Sequence, residues 1–420
     1  MNATLLANAM IWDAVEDARY PGDVLIEGNR IRAVAKAPGK IARERAAEII
    51  EASGMTLMPG LVEGHCHLSF VGIAQPKELG EIPVEEHLLR TMRNATLLLD
   101  SGFTSAYSAA SSKMRLDVVV RAEIEAGRLA GPRYRAASPE ITTTAGLGDE
   151  RRLHMYAESF GLIADGPDEV RRTVRLCCRE GVDNIKINIS GDEFVSHARA
   201  EITTMSESEV KTAIETAHDF GKRVSCHARA AESVKRAVRN GADCIYHCDF
   251  ADEEALDMLE RVKDAVFLGP AVGLVHNAVS EGDSIGMTKE TVEGMGLRRM
   301  FEHTCATYHE VRRRGIRVVI GGDYGFAFTP MGQNARDIGH FATYFGYSPA
   351  EALRCATSVG GTLMGHDGEL GVIREGALAD LLLVDGDPLQ DPSILVGPRH
   401  LAMIMKNGAL HKDPRTLRPA

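Results

Sequence analysis

Between Pro59 and Gly365 the chain repeats one phrase: a helix with an apolar face, a glycine, then a short buried strand. Residues 168–179 carry Val170, Val174, Cys177 and Cys178 at helical spacing, followed by Glu180-Gly181 and a strand-like run at 182–189. Ser206 and Glu209 form a capping box, which predicts a helix with Val210, Ala213, Ile214 and Ala217 on one face. Gly221 is placed to stop it, because glycine enters the left-handed conformation that ends helices, and 223–226 reads as the next strand. The phrase recurs at 232–239, Gly241 and 244–246, and again at 303–314, Gly315 and 316–320. Strands alternating with helices predict a parallel sheet, since parallel neighbours need a crossover connection. The expected fold class is therefore α/β, a (β/α)8 TIM barrel, and the central segment is long enough to close one.

The flanks differ. Residues 1–57 read as short strands at 4–7, 23–26 and 31–34, with a Glu27-Gly28-Asn29 turn before the third. Residues 369–420 look alike, with strands at 381–384 and 401–405 and a Lys406-Asn407-Gly408 turn. Neither end can bury a core alone, so the two are expected to pack as one small β-sandwich. The expected division is 1–57, a catalytic barrel at 58–368, and 369–420.

The net charge of -11 argues against a nucleic-acid partner, because the long-range field repels phosphates. The eight cysteines include no CxxC pair and fall mostly in apolar runs, as in a reducing compartment. The start, Met1-Asn2-Ala3-Thr4, lacks the basic and apolar regions of a leader, and no run nears the roughly 20 apolar residues of a membrane span. A cytoplasmic protein without a membrane partner is expected.

The chemistry lies at the strand ends. The first barrel strand, expected at 57–62, runs into Glu63-Gly64-His65-Cys66-His67. Residues two apart on a strand point the same way, so His65 and His67 can face the barrel mouth together. Neutral imidazole is a common ligand of divalent ions. After Gly181, Gly221, Gly241 and Gly315 come Lys186, His227, His247 and Asp323. In such a barrel the C-terminal strand ends share the face on which active sites are built, so all six side chains converge there.

Lys186 is the most informative of them. In Ile185-Lys186-Ile187-Asn188-Ile189 the isoleucines face the surrounding helices, which points Lys186 inward. An unpaired ammonium there is costly. Carbamylation by CO2 removes that cost by making a two-oxygen anion able to bridge two cations; the competing reading is a lysine paired with a carboxylate. Asp323, in the glycine-rich turn Gly321-Gly322-Asp323-Tyr324-Gly325, can serve as a ligand and as the catalytic group that takes a proton from water and returns it to a leaving amine. His218 reads as structural; His154 and His276 fall in expected loops near the active face.

At this point the chain resembles the metal-dependent amidohydrolase superfamily. The likeness runs from Met58-Pro59-Gly60-Leu61-Val62-Glu63-Gly64-His65-Cys66-His67 to Gly376-Ala377-Leu378-Ala379-Asp380-Leu381. It implies that His65, His67 and Asp323 hold one metal, His227 and His247 the second, and carbamylated Lys186 both. A hydroxide shared by the metals would attack the scissile carbonyl. Zinc is the default ion, with manganese, cobalt, iron or nickel also compatible.

Gly166-Pro167-Asp168-Glu169-Val170 leading to Ile185-Lys186-Ile187 is similar to the dipeptidase branch, with its imidazolonepropionase-like, carboxypeptidase and ochratoxin-hydrolysing members. The chain departs from that branch where substrate is read. Ala145-Gly146-Leu147-Gly148-Asp149 stands in place of a Gly-Gly-His-Gly loop, Ser190-Gly191-Asp192 in place of Gly-Gly, and Arg229 in place of a tyrosine. Arg229 is then the candidate anchor for a substrate carboxylate or ring, because its guanidinium does both.

The activity implied is hydrolysis of an amide-type C–N bond in a small molecule: a dipeptide, N-acyl amino acid, aromatic amide, urea or carbamate. A ring deaminase is the first alternative. Its hallmark glutamate is replaced by Ala230, and it dispenses with the lysine this chain keeps. A non-catalytic scaffold is the second, and the intact ligand set opposes it. A homo-oligomer is expected by analogy.

Overall fold

This computed structural model describes residues 3–155 and 158–416; the extreme ends of the terminal segments, 1–2 and 417–420, lie outside the described residues. Parallel pairing sets the barrel order. Leu61–Cys66 pairs with Phe103–Ser108, which pairs with Arg133–Arg135. The chain passes through Ala136 into Ala137–Thr142, whose neighbour is Asn184–Asn188. Arg223–Ala230, Cys244–Phe250 and Phe267–Gly269 follow in order. The expected last strand, at 316–320, is irregular. It joins through one bridge, Leu268 to Val318, and through hydrogen bonds from Val319 N to Leu268 O and from Gly64 N to Ile320 O. That last bond returns to the first strand and closes a (β/α)8 barrel.

The helix–glycine–strand phrases fold as read, with shifted edges. Helices span Gly166–Arg179, Glu207–Asp219 and Ala231–Arg239. The capping box is formed: Ser206 Oγ accepts from Glu209 N while the Glu209 carboxylate accepts from Ser206 N. Gly181, Gly221, Gly241 and Gly315 all hold positive φ, between 65° and 91°, as left-handed helix stops require. The last helix opens earlier than expected, spanning Leu297–Arg313. Strands five and six run on past the expected 226 and 246, so His227 and His247 lie within them.

The single strand expected at 57–62 is two. Thr56–Pro59 pairs with Leu381–Val384 outside the barrel, and Leu61–Cys66 is the first barrel strand. Gly60 marks the switch, where a Cβ would come 2.1 Å from Thr104 Oγ1. Both chain ends share one mixed sheet. It runs from Ala409–Lys412 through Leu401–Lys406, Leu381–Val384, Thr56–Pro59, Ala3–Ile11 and Tyr20–Glu27 to Arg30–Ala35, with Glu48–Glu51 beside Ala3–Ile11. Its apolar side chains, such as Ile11, Leu57, Leu382 and Met403, join the barrel in one continuous core. The ends therefore brace the first strand, which carries His65 and His67.

Candidate metal centre

The six expected side chains line one cavity at the C-terminal mouth of the barrel. His67 Nε2 lies 3.2 Å from Asp323 Oδ1, and His65 Nε2 lies 3.9 Å from the same atom. Ligand atoms of these three residues all fall within 4.8 Å of one another. Across the cavity the rings of His227 and His247 are 4.3 Å apart, and those of His65 and His247 5.3 Å. Lys186 lines the same cavity, its Nζ 4.9 Å from the centroid of the Tyr246 ring. Among the described residues no carboxylate forms an ion pair with it, so the paired-lysine reading finds no partner.

Each side chain is aimed by its surroundings. Tyr246 stacks on His65 at 3.8 Å, and its hydroxyl donates to Gly64 O at 2.8 Å. Phe70 stacks on His67 at 4.0 Å. His67 Nδ1 meets Ala110 O at 3.1 Å, which leaves the Nε2 lone pair facing Asp323. Gly321 is needed for close approach, since a Cβ there would lie 2.4 Å from that of His65. His247 and Asp323 both hold left-handed backbone, at φ 77° and 58°. Such strain persists in non-glycine residues where the surrounding structure enforces it, and it clusters at functional sites.

The donor set fits divalent ions. Both nitrogens of His65, Nδ1 of His247 and Oδ1 of Asp323 are buried without a hydrogen-bond partner among the described residues. Buried polar atoms are normally paired, so so many unpaired around one cavity need another partner. Two donors bound to one ion at about 2.0–2.1 Å in tetrahedral geometry stand about 3.3 Å apart, close to the separation of His67 and Asp323. Charge states agree. Burial holds the His65 and His247 imidazoles well below their ordinary value. Burial, then the Arg229 guanidinium, pulls His227 down to about 3, so these rings keep the neutral form that binds metal. Burial pushes the Asp323 carboxyl up, but His65 and His67 outweigh it and hold it well below the usual carboxylate range.

Arg229 is placed differently from the expected anchor. It is fully buried, with Nε donating to Asp192 at 2.8 Å and Nη1 to Asp249 at 2.6 Å. Asp192 lines the cavity and the guanidinium stays in the wall behind it. His154 is exposed, and His276 lies on the helix Val272–Ser280 against His340, away from the six. His218 pairs with Asp243 at 2.9 Å, as a structural histidine would.

Sequence reasoning missed the other walls. Phe70, Phe160, Phe194 and Phe326 form an aromatic side, and Glu140 and Asp192 are further carboxylates on the cavity. Glu140 had a usable signal: it lies in Ala137–Thr142, a barrel strand no expected repeat had claimed.

A family model for the amidohydrolase family matches residues 56–410. The chain belongs to the amidohydrolase family. As a member it is a hydrolase. An ochratoxinase of Aspergillus niger is 26% identical over 380 residues, covering 85% of this chain and 76% of that protein. An imidazolonepropionase of Rubrobacter xylanophilus is 24% identical over 416 residues, covering 93% and 91%. A prolidase crystallised with N-methylphosphonate-L-proline superposes with a TM-score of 0.87 at 25% identity, over 98% of this chain and 100% of that one. This amidohydrolase thus resembles these relatives over most of its length, barrel and terminal sheet included. Among the described residues no helix is long and apolar enough to cross a membrane.

Proposed function

We propose that this amidohydrolase cleaves an amide-type C–N bond in a small molecule at a centre holding two divalent cations. The observation that carries the reading is the cavity lined by His65, His67, Lys186, His227, His247 and Asp323, with buried donor atoms left unpaired. His65, His67 and Asp323 would hold one ion, His227 and His247 the other, and Lys186, as its CO2-derived carbamate, both. Zinc suits the imidazole and carboxylate donors, and manganese, cobalt, iron or nickel are alternatives. Bound there, the cations supply a water acidic enough to attack near neutral pH and draw electron density from the scissile carbonyl.

The chain's own groups do the rest. The buried imidazoles are already unprotonated, so no proton has to leave them on loading. Asp323, ionised and 8% exposed, faces the cavity with an unpaired Oδ1 that can take the water's proton. It returns that proton to the nitrogen as the C–N bond breaks, the role of a general base and then a general acid. The aromatic side excludes water and seats the apolar part of the substrate. Relatives named ochratoxinase, prolidase and Xaa-Pro dipeptidase support a carbonyl–nitrogen target.

The test is hydrolysis of a panel of dipeptides, N-acyl amino acids, aryl amides, carbamates and ureas, before and after chelation. Turnover lost in chelator and restored by a divalent metal is the expected result. Turnover confined to amino-substituted rings would move the assignment to deamination.

A further inference from the structure

We propose that the substrate is uncharged next to its scissile bond, an aryl amide, carbamate or urea without a carboxylate on the carbon adjoining the scissile nitrogen. This rests on the hydrolase reading above and narrows it. Apart from the six candidate ligands, every charged side chain on the cavity is an acid: Glu140 and Asp192. Among the described residues lining it, Lys186 is the one lysine or arginine, and the metal centre uses it.

A carboxylate carried into this space would lose its hydration and find no cationic side chain outside the metal centre to replace it. Glu140 is 5% exposed, and among the described residues its Oε2 alone is engaged, accepting from Asn188 Nδ2 at 2.5 Å. Asp192 accepts from the Phe194 amide at 3.0 Å through Oδ1 and from Arg229 through Oδ2. The Arg229 guanidinium is thereby turned to Asp192 and Asp249 and balanced by their two negative charges. Leu147 presents an apolar side chain to the cavity, and its carbonyl is already taken by Asn188. The remaining wall is apolar, made by Pro76, Leu274 and the four phenylalanines. Phe70 meets Phe326 and Phe160 edge-on, at 5.2 Å and 6.4 Å, which offers an aryl group both faces and edges to pack against.

Cations do stand farther out, in the recess beyond Pro76 and Phe194. There Arg199 pairs with Glu193 at 3.1 Å, and Lys77 and Arg152 share the recess with Glu150. A carboxylate at the end of a long substituent reaches them; one beside the scissile nitrogen does not.

Matched pairs assayed with the metal-loaded enzyme test this. Benzoyl amides, phenyl carbamates and phenylureas of phenethylamine are compared with the corresponding derivatives of phenylalanine, which differ by one carboxylate next to the scissile nitrogen. The expected kcat/KM is at least tenfold higher for the uncharged member of each pair that turns over. Glu140→Gln should narrow that ratio at least fivefold by raising kcat/KM of the acid. Acids turned over as fast as their neutral partners would overturn the inference and leave the hydrolase reading standing. A ratio that Glu140→Gln does not change would overturn the part given to Glu140. No turnover of either member in any scaffold, at full metal loading, would count against the hydrolase reading itself and this inference with it.

Discussion

Two long cationic side chains are buried in this barrel on neighbouring strands, and their surroundings are opposite. Arg229, 0% exposed, has a carboxylate on two of its nitrogens, from Asp192 and Asp249, and Thr304 in turn donates to Asp249 at 2.5 Å. Lys186, 1% exposed, has the face of Tyr246 and no carboxylate partner among the described residues. Burying a charge is tolerated where it is paired and hydrogen-bonded, and is otherwise relieved by a change of charge. Arg229 has its charge balanced within the protein, which assigns it to the scaffold, although its Nη2 is left without a hydrogen-bond partner among the described residues. On the proposed reading Lys186 is completed by a change of charge and by cations, which places it in the site. One physical rule separates the two, although a sequence shows both simply as basic residues on strands.

Four changes would sharpen or break that contrast. Lys186→Ala should lower kcat/KM at least about a thousandfold, the several kcal/mol that metal ions contribute to charge stabilisation, with bound metal lost alongside. Near-normal turnover would make the lysine part of the scaffold. Arg229→Met should destabilise the metal-loaded fold by about 3–5 kcal/mol in urea unfolding, because two buried carboxylates lose their cation. If stability holds and only KM rises, the guanidinium acts on substrate, as the sequence reading had it.

Thr304→Val deletes one hydroxyl donor to Asp249, and about 1.5–3 kcal/mol of stability should go with it, kcat being spared. A loss of activity at constant stability would place that hydroxyl in the catalytic path. The last change is acidification of metal-stripped protein. His227 sits at about 3 against an ordinary 6.5, with His65 and His247 also depressed. The unfolded chain therefore binds more protons between those values. Stability is full above pH 6.5 and falls as pH drops toward 3, by up to about 1.4 kcal/mol per pH unit for each ring. Thermal unfolding of apoprotein across pH 7 to 4 checks this, and a flat profile would mean the rings are not held neutral.

What could be read in advance follows from how each feature is encoded. His65 and His67 are two apart on a strand, and Lys186 alternates with isoleucines, so their direction is written in local spacing. The capping box at Ser206 and the stop at Gly221 are equally local. The partners of Arg229 are not, because Asp192 and Asp249 are 37 and 20 residues away and meet it only when strands four to six align. The aromatic side draws Phe70, Phe160, Phe194 and Phe326 from loops that have no periodicity to read. His276 was expected in a loop; the helix that holds it is short and opens on left-handed Ala271 with no side-chain cap, so no local signal announces it. The segment 316–320 looked like a full strand by composition, yet it is held by one bridge and isolated hydrogen bonds rather than a ladder as it leads to Asp323.

The measurement that bears most directly on the proposed paired-ion centre is metal content per chain, determined by mass spectrometry on purified protein and on Lys186→Ala. About two ions per chain are expected in the native protein, as a two-metal site requires, with one or none in the variant. One ion per chain in both would contradict a lysine-bridged pair.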